Sequence, residues 1–107
     1  MDFSDICREI KTVVFESMRE DTNDYLEAVI VRDHLESLTQ RLNASFGIPL
    51  WPSDNRLPHQ VQKIIQEFGG IRSGQTLYYS LNGGAHIVAM LWPWQDGFHT
   101  TLKIIKR

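Results

Sequence analysis

The stretch QTLYYSLNGGAHIVAMLWPWQDGFHTTLKII, residues 75–105, decides the fold. Apolar and polar residues alternate through most of it with a period of two, as they do in strands that bury one face. Two turn signals, Asn82-Gly83 and Gln95-Asp96-Gly97, divide the stretch into three parts. Asn-Gly is the dipeptide best suited to a two-residue hairpin turn. The C-terminal third is therefore predicted to form a three-stranded antiparallel meander.

The first turn also predicts which strand residues lie opposite each other. A two-residue turn at Asn82-Gly83 places Tyr79 opposite His86 and Leu77 opposite Val88. These four side chains share one face of the sheet, and we expect that face to meet the helices.

The second turn allows two registers. A type I turn with a glycine bulge places Trp94 opposite Phe98, and the helix-covered face then continues with Met90, Trp92, Leu102 and Ile104. A tight turn at Asp96-Gly97 would instead shift the last strand by one residue and exchange its two faces.

Before residue 75, most apolar residues are spaced three or four positions apart, as on one face of a helix. An apolar stripe from Phe3 to Met18 predicts a first helix, which Asp2 or Ser4 can cap and the polar residues 21–24 can end. Asp33-His34-Leu35-Glu36 fits a capping box for a second helix that Gly47 closes. Pro58 fits the start of a third helix that ends at Gly69-Gly70.

Residues 25–31 are ambiguous. Val29-Ile30-Val31 is a β-branched run that favours a strand, whereas Ala28, Val31 and Leu35 would continue one long helix across this segment. The predicted fold class is therefore α+β: three helices packed on a C-terminal three-stranded antiparallel meander, with a fourth strand from residues 25–31 if the first alternative is correct.

Composition and charge limit the function classes. The chain has 107 residues, a formal net charge of −2 and one cysteine, Cys7, which predicts a single globular domain over residues 1–107 without an internal disulfide. No apolar run approaches the roughly 20 residues that span a bilayer, and the first residues lack the pattern of a signal peptide. These features predict a cytoplasmic domain that does not enter a membrane.

The sequence patterns argue against a catalytic site, a metal site and a nucleic-acid-binding site. His86 and His99 would lie roughly 17 to 24 Å apart in the hairpin at about 3.4 Å per residue, too far to share a zinc ion. Cys7 belongs to an apolar helical stripe, and the glycine-rich loop 69–74 follows a helix instead of preceding one, unlike a phosphate loop. A pI near 6.0 argues against a nucleic-acid partner. We predict no cofactor and no metal, and we expect a domain that is not an enzyme.

Two surfaces are candidates for binding a protein partner. The aromatic residues around Trp92-Pro93-Trp94 predict a tryptophan corner, since the proline interrupts the strand and at least one indole then lies near the surface. The central strand of the meander is apolar on both faces, so either the N-terminal helix or another molecule covers its outer face. A second copy of the chain is the simplest such molecule. The residues assigned to these surfaces are Trp51, Tyr78, Ile87, Leu91, Trp94 and His99.

The alternative function is a small-ligand or enzymatic pocket between the helices and the sheet. Its predicted lining comprises Trp51, Tyr79, His86 and Trp92, with Arg72 or His99 at its mouth. A deep cavity at His86 would favour this alternative, and a flat exposed apolar sheet face would favour the protein-binding domain.

Overall fold

A computed structural model describes residues 1–53 and 56–107, and in these residues the chain forms an α+β fold, as predicted. The elements in chain order are α1 (Phe3–Ile10), β1 (Ser17–Asp21), β2 (Tyr25–Val31), α2 (Arg32–Phe46), α3 (His59–Gln66), β3 (Thr76–Asn82), β4 (Ala85–Pro93) and β5 (His99–Lys106). The strands form one antiparallel sheet in the order β1-β2-β5-β4-β3. The predicted meander is therefore the β5-β4-β3 part of a larger, five-stranded sheet.

Helices cover both faces of this sheet. On the first face, side chains of α1 and α2 pack on strand residues that include Tyr78, Ile87, Ala89, Leu91, Leu102 and Ile104. On the second face, α3 and the segment around Trp51 pack on Leu77, Val88, Met90 and Ile105. The backbone of Trp51 also pairs with that of Leu77 at the edge of β3. The face predicted to meet the helices is covered by α3, and the outer face is covered by the N-terminal helix, one of its two predicted alternatives, together with α2.

The first helix is shorter than its apolar stripe predicted. Asp2 and Asp5 form a capping box at its start, but the helix ends at Ile10, and residues 17–21 form the edge strand β1. Val14, predicted to be buried on the helical face, is 61% exposed. The β-branched run at residues 12–14 disfavours helix, and pairing with β2 gives residues 17–21 backbone partners that a helix extension would have to replace.

The strand at Tyr25–Val31 is confirmed, and it lies between β1 and β5. The predicted capping box at residues 33–36 is wrong. The second helix starts two residues earlier, at Arg32, and its N-cap residue Val31 offers no side-chain hydrogen bond. Strand and helix therefore follow each other without a loop. Gly47 ends α2 with a φ of 82°, as predicted.

The β3–β4 hairpin turns at Gly83-Gly84 instead of Asn82-Gly83. Asn82 pairs with Ala85, so Tyr79 lies opposite Val88 and not opposite His86. Both glycines have positive φ, which a two-residue type I′ turn requires and which glycine tolerates better than asparagine. The register is shifted by two residues, and the predicted face of each β3 and β4 residue is retained.

The β4–β5 turn has four residues, and β5 takes the register of the second alternative, shifted by one residue with its two faces exchanged. Pro93 pairs with Thr100, and the Trp94 amide donates to the His99 carbonyl at 2.9 Å. The Asp96 carboxylate accepts from the amides of Phe98 and His99, which stabilises the longer turn. The one-residue shift puts Leu102 and Ile104 on the face of Ile87, against α1 and α2.

Candidate functional site

An apolar groove runs along one side of α2, between that helix, the ends of β3, β4 and β5, and the loop that follows α2. We call it the α2 groove. Its volume is about 330 Å3, and it is lined by Leu35, Thr39, Asn43, Pro49, Pro52, Thr76, Tyr78, Leu91, Pro93 and Thr100.

Most residues that line this groove have small side chains and lie at the edge of the core. Leu35, Thr39 and Asn43 follow one another at intervals of four residues and so form one row along α2. Opposite this row stand Thr76 and Leu91, a cross-strand pair of β3 and β4. Threonine and proline fill less space than the leucine and isoleucine of the adjoining core, and the groove is the space that they leave.

Two hydroxyl groups of the α2 groove donate to other protein atoms. The Tyr78 hydroxyl donates to Asn43 Oδ1 at 3.0 Å, and the Thr39 hydroxyl donates to the Leu35 carbonyl at 3.0 Å. Burial raises the pKa of Tyr78, so its hydroxyl stays protonated at neutral pH. The groove therefore offers mainly apolar contacts.

The tryptophan corner continues the α2 groove. A smaller cavity of about 150 Å3 shares Leu35, Pro93 and Thr100 with the groove and is closed by Arg32, Trp94, Gly97, Phe98 and His99. Trp94 is 37% exposed and Phe98 is 39% exposed. The Arg32 guanidinium lies 5.9 Å from the centre of the Phe98 ring. Groove and corner form one surface with an exposed cation at its end.

His99 connects the corner to the edge of the sheet. Its Nδ1 lies 2.6 Å from Asp96 Oδ2 and its Nε2 lies 2.9 Å from Glu16 Oε2, and Trp94 stacks on its ring. The hydrogen bonds to Asp96 and then to Glu16 raise the pKa of His99. The amides of His99 and Phe98 lower the pKa of Asp96 to about 2. Two carboxylates holding both ring nitrogens favour the imidazolium ion, which has no lone pair to act as a base.

The second sheet face carries a separate set of charged and aromatic side chains. Lys103 Nζ lies 3.9 Å from the centre of the Trp92 ring and 4.0 Å from Glu27 Oε1. Glu27 also pairs with Arg19 at 3.5 Å and accepts a hydrogen bond from the Tyr25 hydroxyl. Two cations, Lys103 and Arg19, therefore share the one carboxylate of Glu27.

The structure separates the residues of the predicted protein-binding surfaces. Ile87 is fully buried between the sheet and the helices, so it cannot belong to an exposed apolar face. Tyr78 and Leu91 are buried as well but line the α2 groove, and Trp94 and His99 form the corner. Trp51 lies on the second face, in the cluster around α3.

Three residues of the predicted alternative pocket, Trp51, Tyr79 and Trp92, pack on the cluster around α3. Tyr79 and His86 stack and share a hydrogen bond of 2.7 Å between the hydroxyl and Nδ1. Arg72 and Trp92 line a different small cavity of about 180 Å3 beside Phe68. Within the described residues, the buried Nε1 atoms of Trp51 and Trp92 have no hydrogen-bond partner.

Cys7 faces another cavity, of about 330 Å3, between α1 and the turn after β1. Burial raises the pKa of its thiol to about 11, so the thiolate that a nucleophile needs is scarce at neutral pH. Lys11, which also lines this cavity, pairs with Asp21 at 2.9 Å. The thiol is therefore part of the core packing.

Several groove residues were absent from the candidates that the sequence suggested, among them Leu35, Thr39, Asn43 and Thr76. The regular spacing along α2 was visible, but nothing in the sequence marked the missing volume beside it. Over the described part of the chain, no three side chains of the metal-binding types come together. None of the helices described is both long and apolar enough to cross a bilayer.

Comparisons with known proteins give no further assignment. No family model, no curated protein and no solved structure matches this chain.

Proposed function

We propose that this chain is a ligand-binding domain and that the α2 groove holds a small apolar molecule. The observation that carries the proposal is the groove itself, about 330 Å3 of space bounded mainly by Leu, Pro and Thr side chains. Small-ligand sites have volumes of about 300 to 1,000 Å3 and a mostly apolar lining. This groove lies at the lower end of that range.

The hydrogen bonds of the groove support an apolar ligand over a polar one. Tyr78 and Asn43 bond to each other, and Thr39 bonds to its own helix. These two hydroxyls already have acceptors within the protein, and the Leu and Pro side chains of the groove offer none to a strongly polar ligand, which would lose its own hydration there.

A series of straight-chain alcohols from butanol to octanol tests the proposal. Each methylene moved from water into the groove contributes about 0.8 kcal/mol, which lowers Kd about threefold to fourfold per added carbon. We expect the affinity to rise in this way until the groove is full. NMR titration should show the largest shifts at the methyl groups of Leu35, Thr39 and Leu91.

A matched pair of variants on α2 gives the control. Thr39→Phe fills the groove and should abolish octanol binding, whereas Gln40→Phe adds the same ring at the exposed neighbouring position and should leave Kd unchanged. Binding that is equal in the two variants, or shifts spread over both sheet faces without dependence on chain length, would contradict the proposal.

A protein partner at the tryptophan corner is the second candidate function. It is favoured by Trp94 and Phe98, two large apolar side chains that are each more than one-third exposed and lie beside the same groove. Exposed tryptophan is enriched among residues that dominate protein interfaces. Peptides selected on the wild-type chain should lose binding to Trp94→Ala by tenfold or more, at about 1.4 kcal/mol per tenfold. If the peptides bind this variant equally well, the tryptophan corner is not their binding site.

A further inference from the structure

We infer that the ligand of the α2 groove is an apolar molecule that ends in a carboxylate, and that Arg32 binds this carboxylate. The inference rests on the proposed function. Arg32 lines the smaller cavity that continues the groove, and the two cavities share Leu35, Pro93 and Thr100. A molecule lying along both would have its chain among these apolar side chains and its end at the guanidinium.

Arg32 is distinguished from the other cations around the corner by its free charge. His99 lies between Glu16 and Asp96, and Arg19 pairs with Glu27. Arg32 instead lies over the Phe98 ring, and among residues 1–53 and 56–107 it has no carboxylate oxygen within 4.0 Å. A cation at the end of an apolar groove complements a ligand with an apolar body and an anionic end.

The surrounding charges favour a carboxylate over a phosphate. One guanidinium offers two parallel N–H donors, which match the two oxygens of a carboxylate. Asp96 stands two residues from Phe98 in the same turn, and Glu16 reaches His99 beside it. These two carboxylates disfavour a dianion more strongly than a monoanion.

Four eight-carbon compounds separate the charge from the chain: octanol, octanoate, octylamine and octyl phosphate. Because Arg32 is exposed, its pairing with the ligand is screened by water, and we expect octanoate to bind about fivefold more tightly than octanol. Octylamine, protonated at neutral pH, should bind more weakly than octanol, and octyl phosphate no more tightly than octanoate. All Kd values come from NMR titrations of the same groove methyl groups.

Three variants assign the preference to Arg32. Arg32→Met should remove the preference for octanoate over octanol, and Arg32→Lys should restore part of it. Arg72→Met is the control, since it removes an exposed arginine that lines a different cavity, beside Phe68. It should keep the full preference.

The possible outcomes distinguish this inference from the proposed function. Equal binding of octanol and octanoate, or a preference that survives in Arg32→Met, overturns the inference and leaves the groove as an apolar site. If octyl phosphate binds more tightly than octanoate, the inference that the ligand ends in a carboxylate is wrong. If none of the four compounds shifts the groove methyl groups, the proposed function itself fails.

Discussion

Truncation of Ile87 tests directly whether the helices cover its face of the sheet or leave that face exposed as an apolar interface. Ile87 is fully buried on β4, in the cluster that α1 and α2 form with the sheet. Ile87→Ala removes three carbon groups from this cluster, worth about 2.4 kcal/mol of transfer free energy at about 0.8 kcal/mol each. The cavity left behind raises the expected loss to about 3 to 4 kcal/mol.

Leu81→Ala is the matched control, because Leu81 lies in the neighbouring strand β3 but is 60% exposed. Truncation there should cost less than about 1 kcal/mol. Urea unfolding followed by tryptophan fluorescence and circular dichroism gives both free energies. The slope with urea should be the same in the two variants, so that a difference in midpoint is a difference in stability.

A loss below about 1 kcal/mol for Ile87→Ala would refute the assignment of its face. It would mean that α1 and α2 do not cover Ile87, and it would return the face of Ile87 and Leu91 to the surface as a contact between copies. Sedimentation would then show association that Ile87→Lys disrupts without a change in circular dichroism.

Three further predictions concern other parts of the molecule. The raised pKa of His99 means that its contribution to stability is fully present below the unfolded pKa near 6.5 and is lost as pH rises through the folded value. Unfolding free energies measured from pH 5.5 to 9 should therefore fall with pH more in the wild type than in His99→Gln, and parallel curves would contradict the contacts with Glu16 and Asp96. Gly83→Val should destabilise the hairpin by about 1 to 2 kcal/mol because φ is 58° there, and equal stability by urea unfolding would exclude this turn. Cys7 should react with a thiol reagent far more slowly in the native chain than in urea, and equal rates would contradict its burial.

The elements that the sequence predicted correctly are those whose local signals agree with their tertiary partners. The period of two in residues 75–105 corresponds to β3, β4 and β5, and the β-branched run near residue 30 corresponds to β2. The stripe from Phe3 to Met18 misled because only its first half is helical, whereas the backbone at its end pairs with β2. Backbone pairing, even with the next strand along the chain, leaves no trace in the spacing of apolar side chains.

The register errors have a similar origin in the turns. Asn82-Gly83 and Gly83-Gly84 both satisfy the requirement for a two-residue turn, and only the partners of the flanking strands distinguish them. In the second hairpin, the Asp96 side chain accepts two backbone amides and so favours a four-residue turn. That single added residue decided which face of β5 meets the helices.

Prediction of the site from sequence was limited for another reason. Tyr78, Leu91, Trp94 and His99 were selected as parts of exposed surfaces, and they meet instead at a groove and its end. A groove consists of missing volume, which depends on how far α2 stands from the ends of three strands. The threonines and prolines that create it are ordinary residues of loops and helix flanks.

The small side chain of Thr39 leaves space for a ligand but contributes less to stability than a larger apolar one would. The variant Thr39→Leu measures both effects. Leucine at this position replaces a hydroxyl that bonds to the Leu35 carbonyl with an apolar group that fills the groove. Leucine also has the higher helix propensity. We expect the variant to be more stable by about 0.5 to 1 kcal/mol and to bind octanol at least tenfold more weakly.

Both effects must appear together, because one side chain causes them by occupying the same space. Thr39→Ser, which keeps the hydroxyl and adds no volume, should retain the binding and gain no stability. Greater stability of Thr39→Leu with undiminished octanol binding would place the ligand elsewhere. Weaker binding without the gain in stability would indicate that the leucine distorts α2, and the shifts of the Leu35 methyl groups in the unliganded variant would reveal that distortion.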